Sequence, residues 1–312
     1  MAKLIDIARR AGVSKSTVSN VVHGRAIVAE RTRERVERAI AELRYHPNIV
    51  ARALKTQSSR AFGVLIPDLT NPFYAQLVVS VERAAHALNY AVLAIHTEYQ
   101  AQTENEAGRV VIERQVDGVI IGGISLGSKL PKALLDHDIP VVLASLGEPD
   151  DERLGVIDHD DFASMERAVE YLHGLGHRRF AFASQQFPEE SGQRRRLGFQ
   201  NALVRRNLQP VDLGKATAVL SHNDLIAIAM IQRLEQNGLR VPEDVSIIGH
   251  DDIPMAAHSR IQLSTIRSDA VFMGRRAVEL LVAAAREGRH VHTRELQPSP
   301  LVIRSTASTP RT

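Results

Sequence analysis

Met1-Ala-Lys-Leu-Ile-Asp-Ile-Ala-Arg-Arg-Ala-Gly-Val-Ser-Lys-Ser-Thr-Val-Ser-Asn-Val-Val22 opens the chain. Leu4, Ile7, Ala8 and Ala11 fall on one face of a short helix. Gly12 breaks that pattern, as a tight turn requires. A second apolar stripe follows at Val18, Val21 and Val22, and Ser14 stands where its hydroxyl caps the helix that carries it. Lys15, Ser16, Ser19 and Asn20 share the opposite face of that helix. Two short helices around a glycine turn, the second with a donor-rich outer face, read as helix-turn-helix. A helix about 10–12 Å across fits the major groove, where Lys, Ser and Asn hydrogen-bond base edges. The blander reading of these residues alone is a helical hairpin with a solvated polar face.

The charge distribution separates the two. The chain has 312 residues, enough for two or three domains, with 44% hydrophobic and 24% charged residues as in globular proteins. Residues 1–60 hold thirteen Lys and Arg against five Asp and Glu, a balance of +8. The other 252 residues hold 26 basic and 31 acidic groups, a balance of −5. A basic headpiece on an acidic body is the electrostatic footprint of a nucleic-acid module. The absence of cysteine excludes disulfides and thiol-based metal or redox sites. No apolar run approaches a membrane span, and the N-terminus has no signal-like apolar core. A cytoplasmic protein with no membrane partner is expected.

A third helix is expected from about Glu30 to Leu43, closing a small core with Leu4, Ala8, Val18 and Val22. Tyr45-His46-Pro47 ends it, because the residue before proline is pushed out of the helical region. Asn48-Ile-Val-Ala-Arg-Ala-Leu-Lys55 then begins with a good N-cap, yet it is too short for a stable isolated helix. Thr56-Gln-Ser-Ser59 reads as a tether. A marginal helix between a DNA reader and a large domain is expected to fold on binding.

Ile5-Asp-Ile-Ala-Arg-Arg-Ala-Gly-Val-Ser-Lys-Ser-Thr-Val-Ser-Asn20, Tyr45-His-Pro-Asn48 and Ala51-Arg-Ala-Leu54 together resemble the lactose/galactose repressor (LacI/GalR) family of transcriptional regulators. The resemblance implies that the second helix reads the major groove, so Lys15, Ser16, Thr17, Ser19 and Asn20 are the DNA-binding candidates. It also implies that Leu54 wedges into the minor groove at the operator centre, where an apolar insertion unstacks a base step and bends the duplex. Many members have Arg where this chain has Asn20; Arg favours guanine and Asn adenine.

From Ala61 onward, continuous apolar runs alternate with helical patterns. Strands are expected at Phe62–Ile66, Ala91–Ile95, Gly118–Ile121, Val141–Ala144 and Gly155–Ile157, then at Phe180–Ala183, Ala216–Leu220 and Val245–Ile248. Such alternation means parallel sheets covered on both faces, here in two lobes. A last strand is expected near Pro300–Ile303. Gly63-Val-Leu-Ile-Pro-Asp-Leu-Thr-Asn-Pro-Phe-Tyr74, Gly174-Leu-Gly-His-Arg-Arg179 and Val241-Pro-Glu-Asp-Val-Ser-Ile-Ile-Gly-His-Asp-Asp252 extend the resemblance over nearly the whole chain. The implied fold is an all-α helix-turn-helix headpiece (1–47), a hinge helix and linker (48–60), and an α/β two-lobed periplasmic-binding-protein-like domain with parallel sheets (61–312). Lobe 1 is expected at about 61–158 and 269–288, and lobe 2 at about 162–266 and 292–305. Crossovers between them fall near 158–162, 266–270 and 288–292.

Ligands of such folds sit at the carboxyl ends of strands. Position by position, Arg195 aligns with the family's effector-binding arginine. Asn223 and Asp251 follow strand ends, and Asp158 and Phe73 complete the effector-binding set. Arginine donors with Asn and Asp acceptors suit sugar hydroxyls or a planar polar ligand. The bland reading of each is a strand-end cap or a loop polar residue. One departure from the family stands out: only Leu208-Gln-Pro-Val-Asp-Leu-Gly-Lys215 separates the helix ending near Asn207 from the strand at Ala216, where members usually have a further strand and helix. The preceding helix must then change faces of the sheet, or its crossover would be left-handed, which is rare. A shallower or re-formed pocket with weaker effector binding is expected.

Other chemistries have less behind them. Carboxylates cluster at Asp158-His-Asp-Asp161 and Asp251-Asp252, but nothing in the sequence gives them the separation and divergent pKa values of a hydrolase. No glycine-rich phosphate loop follows a strand, and His290-Val-His292 lacks further ligands for a metal. The expected protein is a homodimeric DNA-binding regulator, most simply a repressor on a pseudo-palindromic DNA operator, answering to a small-molecule effector and needing no cofactor or metal. The competing class is a sugar-binding protein or carbohydrate-active enzyme without DNA function, which leaves the basic headpiece without a use. Replacing Leu54 by Ala should weaken binding to a specific site more than to random DNA. Equal loss on both, measured by fluorescence anisotropy, would remove the wedge role.

Overall fold

The computed structural model describes residues 2–22, 27–45, 58–125, 127–145, 151–184, 190–288 and 290–311. They divide into two units, Met1–Ser59 and Arg60–Thr312. The expected hinge helix, with Leu54, lies outside the described residues.

The first unit holds helices α1 (Leu4–Ala11), α2 (Lys15–Val22) and α3 (Glu30–Glu42). The Asp6 carboxylate accepts the Lys3 N–H at 2.8 Å, satisfying a donor at the start of α1. Gly12 ends α1 at φ 63°, a conformation that L side chains rarely adopt. The Val13 N–H then donates back to the Ala8 carbonyl at 3.0 Å. Arg35 of α3 donates to the carbonyls of Ala11 and Gly12, tying the third helix to the turn. Ser14 caps α2 by accepting the Thr17 N–H at 3.1 Å. Ile7, Ala8, Ala11, Val18, Val21, Val36 and Ala39 form the core, with Leu4, Val22, Ile40, Leu43 and Tyr45 packed around it.

The second unit begins with β1 (Ala61–Ile66), α4 (Pro72–Ala87), β2 (Ala91–His96), α5 (Ala101–Glu113), β3 (Gly118–Ile121), the short α6 (Leu130–Leu135), β4 (Val141–Ala144) and β5 (Gly155–His159). It continues with α7 (Asp161–Gly174), β6 (Phe180–Ala183), α8 (Glu190–Val204), β7 (Ala218–Ser221), α9 (Asp224–Gln236), β8 (Ser246–Asp251) and β9 (Ser264–Arg267). Helix α10 (Ala270–Glu287) and strands β10 (Arg294–Gln297) and β11 (Leu301–Val302) complete it. One sheet runs β10-β5-β4-β3-β1-β2 and the other β11-β9-β8-β7-β6. All described pairings are parallel except β11 with β9.

Strand alternation divides the side chains between two covered faces. In β1, Phe62, Val64 and Ile66 join one cluster, and Leu65 joins another with Ala107 and Val111 of α5. In the second sheet Phe180, Ala218, Leu220 and Ile248 pack with Met165, Val169, Phe199 and Leu203 of α7 and α8. Ala181, Ala183, Val219 and Ile247 turn the other way, toward α9.

Two expectations need correction. Residues 292–305 do not all belong to the second lobe, because β10 pairs in parallel with β5 of the first sheet. The third crossover is therefore at 298–300, not 288–292. Arg294-Glu295-Leu296-Gln297 has no apolar run to announce a strand. It is held at the sheet edge by Arg276 of α10, whose Nε and Nη2 donate to Glu295 at 2.9 and 2.7 Å. The shortened segment also behaves differently from the first of the two alternatives. Helix α8 stays on the face of α7, opposite α9. The connections β6–β7 and β7–β8 step in the same direction across the sheet, so they have opposite hands. Residues 208–215 make the change of face instead. Leu208 packs with the α7–α8 side and Val211 with the α9 side, and the Val211 N–H donates to the Phe180 carbonyl at 2.8 Å on the outer edge of β6.

Helices α7 and α8 meet at Gly198, where an added Cβ would lie 2.3 Å from the Phe162 carbonyl oxygen. Since that neighbour is backbone, it has little room to yield. Gly198→Ala should lower stability by about 1–3 kcal/mol or more. Denaturant unfolding with a loss under about 0.5 kcal/mol, the range of ordinary surface changes, would contradict the close approach.

Candidate functional sites

In the first unit, Lys15 and Ser16 at the start of α2 are exposed, while Thr17, Ser19 and Asn20 are half-buried. The hydroxyl oxygens of Ser16 and Thr17 lie 2.7 and 2.8 Å from Ser14 Oγ. This cluster of hydroxyls sits at the positive end of a helix dipole, next to the Lys15 ammonium.

In the second unit, the charged side chains collect where β5 passes into α7 and where β8 ends. Arg195 of α8 has Nε 3.2 Å from Asp161 Oδ1, donates through Nη1 to the His222 carbonyl at 2.7 Å, and has Nη2 3.7 Å from Asp251 Oδ1. His250, fully buried, lies between the same two carboxylates, with Nε2 3.1 Å from Asp161 and Nδ1 3.2 Å from Asp251. Two basic side chains, Arg195 and His250, thus alternate with two carboxylates in a closed ring. Next to it, Arg194 Nη1 approaches Asp158 Oδ2 at 3.6 Å. His159 Nε2 accepts the Asp269 N–H at 3.2 Å, which leaves the imidazole proton on Nδ1.

Residues 3–48 match the family described as "Bacterial regulatory proteins, lacI family". Residues 59–213 match "Periplasmic binding proteins and sugar binding domain of LacI family", and 169–307 a "Periplasmic binding protein-like domain". The HTH-type transcriptional repressor PurR of Vibrio campbellii is 32% identical, covering 98% of each chain. The chain belongs to the lacI family. It is a DNA-binding transcriptional regulator and not an enzyme. The alignment to that relative spans 331 positions, more than the 312 residues here, so the relative has residues with no counterpart in this chain. Among solved structures, the lac repressor dimer bound to operator and the anti-inducer ONPF has a TM-score of 0.86 at 27% identity, covering 98% of this chain and 99% of its own. The transcriptional regulator CelR–cellobiose complex has a TM-score of 0.71 at 26% identity, covering 98% and 100%.

Of the effector residues expected in this lacI-family chain, the fold brings Arg195 and Asp251 together, with Asp158 beside them through Arg194. Asn223 is adjacent in chain to His222, but its Oδ1 caps α9 by accepting the Ile226 N–H at 2.9 Å, so a ligand role rests on its amide nitrogen. Phe73 is buried at the start of α4, with its ring 5.2 Å edge-on from Tyr74. Asp161, His159, His250 and Arg194 were missed as partners. The signal available was a His–Asp pair at the end of two separate strands. The second carboxylate of the Asp251-Asp252 pair is structural, bound by Arg267 at 2.8 Å and Arg304 at 2.6 Å. Among the described residues no group of His, Asp and Glu is placed to hold a metal ion.

Burial alone would raise the Asp161 pKa, but Arg195 and His250 outweigh it and hold the carboxyl well below its usual range. Burial and Arg195 disfavour the charged form of His250, and Asp161 and Asp251 outweigh both, so its pKa is raised. His159 has no such balance. Burial, with His250 and Arg195 nearby, takes it down to about 4 against the attraction of Asp161 and Asp251. Burial and then the Asp251 charge push Asp224 up to about 7, although Thr265 Oγ1 and the Ile253 N–H donate to it at 2.5 and 2.9 Å.

The two extreme groups give opposite pH slopes. His159 contributes fully above its ordinary 6.5, and that contribution is lost as pH falls toward about 4, because only the unfolded chain binds the extra proton. Asp224 contributes fully below 3.8 and less as pH rises through about 7. His159→Gln keeps a neutral acceptor for Asp269, so its stability should fall less than that of the wild type between pH 6.5 and 4. Thermal melts with an unchanged acid slope would assign that slope to other groups.

Proposed function

We propose that this lacI-family chain acts in the cytoplasm as a homodimer that binds a pseudo-palindromic operator and represses transcription, with its affinity set by a small-molecule effector. The observation that carries the reading is α2, a donor-rich helix with an exposed start, on a three-helix unit whose segment has a balance of +8. In this role Lys15, Ser16, Thr17, Ser19 and Asn20 face bases and phosphates, and Leu54 inserts at the centre. Twofold protein symmetry matches twofold site symmetry. The lac repressor relative, a dimer on its operator, supports both points.

Arg195, Asp251, the amide of Asn223, Asp158 and Phe73 form the effector set. In the ring of Arg195, His250, Asp161 and Asp251 each carboxylate already has two basic partners, so a neutral polyhydroxy ligand fits without adding a further buried charge. The CelR–cellobiose complex supports a saccharide. The shortened path at 208–215 favours weak rather than tight effector binding.

Fluorescence anisotropy of the full chain on a pseudo-palindromic duplex should show specific binding that weakens steeply with salt, since each neutralised phosphate contributes about −0.9 to the slope of log K against log salt. Asn20→Arg should move the preferred base at the facing position from adenine to guanine. Equal affinity for the duplex and a scrambled control would reject the reading.

A further inference from the structure

Helix α8 carries Arg194, Arg195 and Arg196 in succession, and the three have different partners. Arg195 is held within the second lobe by Asp161, His222 and Asp251. Arg196 donates to Ser184 Oγ at 2.7 Å and lies 5.9 Å from the Phe182 ring centre, also within the second lobe. Arg194 reaches the first lobe: its partner is Asp158 of β5, the strand between β4 and β10 of the first sheet. The Asp158 side chain is 6% exposed and that of Arg194 is 23% exposed, so the pair is shielded far more than a surface ion pair. It stands beside the first crossover, three residues before α7 begins.

We propose that Arg194 is an intramolecular competitor for Asp158, an ionic strap between the lobes that a ligand must displace to use that carboxylate. This rests on Asp158 belonging to the effector set. With the strap made, α8 of the second lobe is tied to β5 of the first. A ligand hydroxyl donating to Asp158 takes over the carboxylate, releases Arg194 and removes one interlobe tie. Binding and lobe spacing are then coupled by exchange of an ion pair for a ligand hydrogen bond, with the neighbouring ring undisturbed. Arg194 thereby also selects ligands, because only a donor placed to outcompete a guanidinium gains Asp158.

The test is hydrogen exchange of the full-length protein without ligand or DNA, following the amides around 157–163 and 266–271. Arg194→Gln and Asp158→Asn should each speed exchange there by about fivefold, the lower end of ordinary coupling between sites. The double variant should be no faster than either single one. The exchanged pair, Arg194→Asp with Asp158→Arg, should recover protection, which a merely misfolded variant would not. Arg196→Gln should leave these amides unchanged. Unchanged exchange in Arg194→Gln, additive effects in the double variant, or the same acceleration from Arg196→Gln would each overturn the strap. Operator binding is measured separately on the same proteins. A wild type that binds no operator while the exchange pattern holds would reject the regulatory reading and leave the strap standing.

Discussion

Four ionisable side chains are buried together where β5 enters α7 and β8 ends. Arg195, Asp161, His250 and Asp251 are each at most about 5% exposed. An ion taken from water into such a place is destabilising by several kcal/mol unless its charge is met on the spot. Here each is met by two others, and the carbonyl of His222 takes a further Arg195 donor. The ring works only if α7, α8, β7 and β8 hold their registers, since each supplies a member or the chain next to one. Removing one charge strands its partners, so the ring specifies one arrangement of the second lobe more sharply than apolar packing alone.

The lobes are joined around that ring. His159 accepts the Asp269 N–H and so ties the first crossover to the second. Arg167 of α7 donates to the Ser299 carbonyl in the third crossover at 3.0 Å. The chain that passes between lobes is thus fastened by side chains from the second lobe and by its own strand ends. A device of this kind suits population shift, in which a ligand acts through its differential affinity for two lobe spacings. Few bonds need to change, and those that do are polar and exchangeable.

Much of this was legible from the residues. The stripe Leu4, Ile7, Ala8 and Ala11, the break at Gly12 and the second stripe at Val18, Val21 and Val22 appear in the structure as α1, a left-handed cap and α2. The apolar runs of the body became strands within about two residues at most ends, because a strand buried on both faces needs an unbroken apolar run. Strand β10 escaped for the opposite reason: Leu296 is 61% exposed, and the strand is held by backbone pairing and the Arg276–Glu295 pair. Helix α6 escaped because six residues carry too little periodicity. In the second unit, residue type and strand-end position pointed to Arg195 and Asp251, but could not show that Asn223 would spend its oxygen on a cap.

Local rules act between residues a few positions apart, and those the chain determines by itself. They set the headpiece helices, the charge split between residues 1–60 and the remainder, the alternation of strand and helix, and the motifs that place it in the lacI family. Only the tertiary structure decided which charges meet. Arg195 and Asp161 are 34 positions apart, and His250 and Asp161 are farther still. Their pairing depends on the order in which strands add to a sheet. The tertiary structure also decided how the shortened chain at 208–215 rounds the edge of β6, and that Arg194 and Arg195, neighbours on one helix, reach partners in different lobes. Charge pairing in a low-dielectric interior is a property of position in space, and a linear sequence does not contain that position until it is folded.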